Sequence, residues 1–135
     1  MRRRLGWRVA RTLPLLVVMT GIFVLSHQTG DDLQLPLLPG LDKLGHASIY
    51  ALLAVSAFFA IAAPCRATRP AGRVAAAVLL FCLLYGLSDE YHQSFVAGRS
   101  ASGWDLVADG VGAAVVAVLW LRRAMPGWLA ALLGR

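Results

Sequence analysis

Residues 44–63 read LGHASIYALLAVSAFFAIAA, a run without a lysine, arginine, aspartate or glutamate. About 20 helical residues cover the roughly 30 Å of hydrocarbon in a bilayer, so this run is long enough to cross. It restricts the fold sharply, because a segment in lipid must satisfy its own backbone N–H and C=O groups, as a helix does. Three more apolar stretches accompany it: Leu13–Leu25, the run that opens at Val74, and Trp104–Leu121. Each reaches spanning length once its polar ends are counted in, which gives expected spans over 9–26, 44–63, 74–95 and 104–121. Hydrophobic residues make up 59% of the chain and charged residues 15%, against roughly half and a quarter in soluble domains. A chain of 135 residues is too short to hide that surplus in a core. The expected fold is therefore all-α, a single integral membrane domain over 1–135 built as a four-helix bundle with short loops. Pro14 is expected in the first turn of the first span, where proline is tolerated. The tail over 125–135 is too short to span and is expected to lie at the membrane surface or to extend the fourth helix.

Charge placement sets the expected orientation. Arg2, Arg3, Arg4, Arg8 and Arg11 precede the first span, Arg66, Arg69 and Arg73 lie between the second and third, and Arg122, Arg123 and Arg135 follow the fourth. With 11 of the 13 basic residues on one side, the positive-inside rule puts both termini in the cytoplasm. The net charge of +6 is thereby read as a topology signal, and no nucleic-acid partner is expected. A signal-peptide reading, with cleavage near Val24-Leu25-Ser26, is the minor alternative and leaves the orientation of the later spans unchanged. Cys65 and Cys82 form no disulfide framework or zinc spacing.

The other side carries all seven acids (Asp31, Asp32, Asp42, Asp89, Glu90, Asp105, Asp109) and all three histidines (His27, His46, His92), with Lys43 and Arg99 as its bases. Acids contribute little to topology, so something else holds them there. Counting from Val74 at about 1.5 Å per residue, Asp89 stands about 22 Å along a core of about 30 Å. Counting from Trp104 as an interface anchor, Asp109 is about 7 Å deep. Ionisable groups at such depth cost up to about 3 kcal/mol each and are expected to face the bundle and pair. Asp89, His92 and Gln93 share a helix face at i, i+3 and i+4, as do Asp42 with His46 and Asp105 with Asp109 and Gly112. Gly112 is suited to close helix approach. Three helices can thus aim polar groups into one cleft at the outer face.

Several of these residues also have plain structural readings. Asp42 suits a helix N-cap and Lys43 a snorkelling anchor. Ser102-x-x-Asp105 has the form of a capping box, which leaves Asp109 unexplained. Adjacent Asp89 and Glu90 point to different sides of a helix, so one is expected in the cleft and the other in a pair with Lys43 or Arg99. Arg99 is expected either in an ion pair with Asp89 or Asp105 or on a ligand's phosphate or carboxylate. His46, His92, Asp89, Glu90 and Asp109 include donor types that zinc or manganese accepts. Their spacing matches no metal signature, so no metal is assigned.

The stretches LSHQTG (Leu25–Gly30), DKLGHASIYALL (Asp42–Leu53) and SDEYHQSFVAGRSASGWDLVADGVG (Ser88–Gly112) together resemble the VanZ-like family of small bacterial membrane proteins. The family pattern places Ser and Gln after the first span, Asp-Lys-x-x-His at the opening of the second, Asp-Glu-x-x-Gln, then Gly-Arg, then Asp near the start of the fourth. The matching positions here are Ser26, Gln28, Asp42, Lys43, His46, Asp89, Glu90, Gln93, Gly98, Arg99, Asp105 and Gly112. Asp109 departs from the pattern, standing where the family commonly has Asn. The resemblance implies a multi-pass protein of the bacterial cytoplasmic membrane and an envelope role, the family being named for a protein associated with low-level resistance to the glycopeptide teicoplanin.

Taken with that resemblance, the expected function is binding or modifying a polar headgroup or amphiphilic ligand at the outer face of the membrane. A lipid-linked wall precursor and a glycopeptide-type antibiotic are the candidate ligands, with the lipid bilayer as surrounding partner. In an enzymatic version His46 with Asp89 or Glu90 supplies acid–base chemistry and Arg99 stabilises negative charge; in a binding version Ser26, Gln28, Asp42, Lys43, Gln93, Arg99, Asp105 and Asp109 hold the ligand. No cofactor is named, and an oligomer is compatible with the length. The alternatives are a small dimeric transporter, which the outward skew of the acids disfavours, and a membrane assembly or scaffold protein.

Overall fold

The computed structural model describes residues 2–29, 40–65 and 70–122, and the tail over 125–135, Asp31, Asp32, Arg66 and Arg69 lie outside these described residues. Four helices account for most of the described chain: α1 (Arg2–Ser26), α2 (Leu41–Cys65), α3 (Ala71–Gln93) and α4 (Gly103–Arg122). No strand occurs among the described residues. Leu41–Ile61 of α2, together with α3 and α4, is long and apolar enough to cross a membrane, while the apolar part of α1, Ala10–Ser26, is shorter. The architecture fits a multi-pass membrane protein.

Every helix begins ahead of its apolar run, so the flanking residues are helical too, although α3 ends at Gln93, short of the expected span end at 95. The consequence is largest in α1, which reaches back through the arginine-rich start to Arg2. Pro14 therefore sits in the helix interior, not in the first turn as the apolar boundary implied. Proline there removes one backbone donor, a loss that membrane helices absorb when neighbours satisfy the freed carbonyl. The α3 start is set by Pro70, whose carbonyl accepts from the N–H groups of Arg73 and Val74 at 3.0 and 3.2 Å.

The contacts between helices fix their directions. Lys43 meets Asp105, His46 meets Asp109 and Ala47 meets Gly112, so numbers rise together and α2 and α4 run parallel. Met19 meets Tyr85 and Ser26 meets Asp89, so α1 and α3 also run parallel. With short connections between α3 and α4, this is an up-down bundle with antiparallel neighbours in sequence. One end of it gathers the C-termini of α1 and α3 and the N-termini of α2 and α4.

The core is narrow and built around α2, which packs against the other three helices. Tyr50, Leu53, Ala54, Ala57 and Phe58 of α2 are buried against Val78 and Cys82 of α3 and Ala113, Ala117 and Trp120 of α4. Phe58 and Trp120 stack at 4.6 Å. Away from this seam Leu52, Leu80, Leu84, Leu87, Val111 and Val115 are exposed. Apolar surface of that extent would be a liability in water but is matched to acyl chains. In lipid the hydrophobic effect does not hold helices together, so small residues that allow close packing must do so.

Gly112 is where that packing is tightest. A Cβ on Gly112 would lie 2.0 Å from the Ala47 carbonyl oxygen and 2.8 Å from its carbon, both backbone atoms that cannot rotate away. Gly112→Ala is expected to force α2 and α4 apart and to cost about 1–3 kcal/mol, the range for overpacking. Gly45→Ala is the control, because a Cβ there meets nothing within 4 Å. Thermal unfolding in detergent should show the first variant melting well below wild type and the second close to it.

Candidate functional site

The end of the bundle that gathers those four termini holds a cavity of about 750 Å³. Polar and charged side chains line it from every helix: Ser26 of α1, Asp42, Lys43 and His46 of α2, Asp89 and Gln93 of α3, Asp105 of α4, and Arg99 from the turn between α3 and α4. Ile22, Leu25 and Ile49 form an apolar part of the wall. The charged groups fall into three clusters, and each joins residues more than 60 positions apart.

The first cluster ties α1 to α3. Ser26 Oγ donates to Asp89 Oδ2 at 2.7 Å, and Gln93 Nε2 donates to the same oxygen at 2.9 Å. All three side chains are buried. The i, i+4 spacing of Asp89 and Gln93 makes the second bond local; only the bundle supplies the first.

The second cluster ties α2 to α4. Lys43 Nζ lies 2.9 Å from Asp42 Oδ2 and also bonds Asp105 Oδ1. Asp42 is half exposed and sits within the first turn of α2, which begins at Leu41, one position before the expected cap, so the Gly40 carbonyl accepts the first helical bond, from the Leu44 N–H. Asp105 does not complete a capping box. The backbone N–H of Ser102 donates to Glu90 Oε2 at 2.7 Å, so the group that a capping box would reserve for Asp105 is taken by a carboxylate from α3. Its negative charge stands at the N-terminus of α4, where the helix dipole favours it.

The third cluster joins a half-buried histidine to two buried carboxylates. His46 Nδ1 is 3.0 Å from Asp109 Oδ1. Glu90 approaches the same place, and one ligand-type atom from each of His46, Glu90 and Asp109 lies within 4.8 Å of the others. Asp109 is 1% exposed and Glu90 6%. Asp109 faces Gly86 across α3, where a Cβ would come within 3.0 Å of its Oδ2. Glu90 and Asp109 are not among the residues that line the cavity, but each contacts one that is: Glu90 the Ser102 N–H and Asp109 the His46 ring.

Arg99 makes none of the expected ion pairs. Its Nη2 donates to the Leu25 carbonyl at 2.9 Å and its Nε to the Gln28 carbonyl at 3.3 Å. These are carbonyls at and just past the C-terminus of α1, a place commonly capped by basic side chains; the Leu25 carbonyl also accepts from the Gln28 N–H at 3.3 Å. Gly98, at φ 73°, turns the chain so that Arg99 can reach back; that backbone conformation favours glycine. Among the described residues no carboxylate lies within ion-pair distance of Arg99. Its partners among the described residues are neutral carbonyls. The Gln28 side chain folds back to the Val24 carbonyl at 3.2 Å and does not line the cavity.

Two features escaped the sequence reading. Tyr50 lines the cavity and is 1% exposed, with a buried hydroxyl that has no hydrogen-bond partner; its i+4 spacing from His46 was the available signal. His27 and His92 stack at 5.4 Å with Phe23 against His92 at 4.9 Å, a contact between α3 and the end of α1 that no local pattern announces.

The model of the VanZ/LLP1 family matches residues 11–125. That range contains every residue of the three clusters. No curated protein and no solved structure matches the chain.

The buried Asp89 cluster yields a stability test. Ser26→Ala removes the donor from α1 and leaves part of a buried carboxylate unsatisfied, a loss of about 1–3 kcal/mol. Ser88→Ala removes only an exposed bond to the Tyr85 carbonyl and should change little. Equilibrium unfolding in detergent compares the two, and equal effects would show that the Ser26–Asp89 bond does not brace α1 against α3.

Proposed function

The chain belongs to the VanZ/LLP1 family, and from that premise we propose that it binds the polar headgroup of an amphiphile at the outer face of the bacterial cytoplasmic membrane, with both termini inside. The ligand class is an anionic, lipid-linked molecule such as a cell-wall precursor, or an amphiphilic glycopeptide-type antibiotic. The observation that carries this reading is Arg99, which has no carboxylate partner among the described residues, in the wall of a cavity shared with Lys43, His46 and Asp89. Two of five guanidinium donors' directions are used on neutral carbonyls, and the remainder suit a phosphate or carboxylate in the bidentate manner arginine favours. Ile22, Leu25 and Ile49 supply the apolar flank that an acyl chain or lipophilic tail needs. Orientation is supported by arginines at the opposite end, Arg11 and Arg73 among the described residues, together with the positive-inside rule.

A catalytic version of the same reading is favoured by the His46–Asp109 pair. A carboxylate that engages one imidazole nitrogen fixes ring orientation and frees the other for acid–base work. Headgroup turnover by purified protein, abolished in His46→Ala, separates modification from binding.

Two outcomes test the proposal. A wall precursor carrying a lipid-linked pyrophosphate, presented in nanodiscs, should bind wild type saturably and Arg99→Gln at least about tenfold more weakly, the loss expected for a hydrogen bond to a charged group. Unchanged affinity in a folded Arg99→Gln protein would sink the headgroup assignment. With Cys65 and Cys82 replaced by alanine, a cysteine introduced by Ser100→Cys should react with a membrane-impermeant thiol reagent in intact cells; labelling only after lysis would reverse the orientation.

A further inference from the structure

We infer that His46, Glu90 and Asp109 form a binding site for one divalent transition-metal cation of the zinc or manganese class. Three helices contribute one residue each, which is why no local spacing signals the site. Their ligand atoms lie within 4.8 Å of one another, and the His46 Nδ1 to Asp109 Oδ1 separation of 3.0 Å is close to that of neighbouring ligands about 2.0–2.2 Å from a common ion. One imidazole and two carboxylates are a donor set that zinc accepts with an open position, and that manganese also accepts.

Two independent observations point to a ligand. The first is polar dissatisfaction. Glu90 Oε1, Asp109 Oδ2 and the Tyr50 hydroxyl are buried without any hydrogen-bond partner. Glu90 and Asp109 are both more than nine-tenths buried, and buried polar atoms in native proteins are normally paired. The second is charge. Lys43 is engaged by Asp42 and Asp105 and Arg99 by backbone carbonyls. Among the described residues, neither base lies within ion-pair distance of Glu90 or Asp109. Even with His46 protonated against Asp109, the two carboxylates leave the cluster one charge short of neutral, and a divalent cation with a neutral histidine brings it to zero. Such neutralisation is what makes buried charge tolerable in a low-dielectric setting.

His46 is the member that also lines the cavity, so a bound ion would have its open position on that side, where a headgroup oxygen can reach it. In that role the inference deepens the headgroup reading and rests on it; ion binding itself does not.

The test uses full-length protein in detergent, stripped with a chelator and checked for helicity by circular dichroism. Zn²⁺ alone and Mn²⁺ alone are titrated calorimetrically, and metal content is read by mass spectrometry. One equivalent of one of these ions should bind wild type saturably and raise its melting temperature, as binding to the folded state alone requires. Asp109→Asn and Glu90→Gln should each weaken binding at least about tenfold, as loss of a metal's supporting groups does. Neither should lower the melting temperature of the metal-free protein much, since each removes an uncompensated charge. His27→Gln, at the exposed histidine pair, should leave affinity unchanged. Absence of saturable binding by folded wild type overturns the inference, as does binding that survives both carboxylate variants or is lost in His27→Gln. Precursor binding in nanodiscs, measured with and without chelator, separates the two proposals. Arg99-dependent precursor binding in a protein that takes up no metal ends the metal site alone, and metal uptake without precursor binding ends the headgroup reading alone.

Discussion

The close crossing of α2 and α4 at Ala47 and Gly112 decides where the chemistry of this molecule sits. With no room for even a methyl group on Gly112, the two backbones touch, and the residues on either side of the contact are brought into register. His46 precedes Ala47 and Asp109 lies one turn before Gly112, so their side chains meet at 3.0 Å. One turn further toward the helix starts, Lys43 meets Asp105. A bulkier crossing would separate both pairs together, because parallel helices locked at one point have no independent freedom a turn away. Packing in lipid relies on such contacts, since burial of apolar surface gives little net gain there. The glycine is therefore at once a structural contact and the reason the polar groups of two helices share a site.

Much of this was legible from the chain. Helix number followed from apolar length, and the shared faces of Asp42 with His46 and of Asp89 with Gln93 followed from the 3.6-residue period. Gly112 was marked as a close-approach residue. What spacing could not supply was partnership across the bundle. Charge alone offers Arg99 either a carboxylate of the bundle or a ligand's phosphate or carboxylate, yet its partners among the described residues are the carbonyls of Leu25 and Gln28, and backbone acceptors carry no signature in sequence. Asp105 was assigned to its own helix cap, yet Glu90 reaches that N–H from α3; a local motif was overridden by a tertiary carboxylate. Pro14 was misplaced because apolar length marks where lipid begins, whereas α1 continues as a helix through its arginines to Arg2.

The three clusters differ in how completely their charges are met, and that gradient assigns them different work. Asp89 is hydrogen-bonded by Ser26 and Gln93, which satisfies its oxygen and braces α1 against α3. Lys43 with Asp42 and Asp105 is partly exposed; such pairs add little stability on their own but align the starts of α2 and α4. His46, Glu90 and Asp109 are the least satisfied, with Glu90 Oε1 and Asp109 Oδ2 buried and without a hydrogen-bond partner.

Helix ends account for part of the assembly's position at one end of the bundle, although Lys43 and Asp89, which stand at unfavourable ends of α2 and α3, are held by their hydrogen-bond partners instead. Helix N-termini carry partial positive charge and C-termini partial negative charge. Where α2 and α4 begin, Asp42, Asp105 and Glu90 stand against positive helix ends; where α1 ends, Arg99 stands against a negative one. Each charge is thus stabilised by a dipole that is available only at a helix terminus, and none of these placements would hold at mid-span. His46 and Asp109 lie one turn further in, beyond the reach of those termini, and they are the groups left to one another.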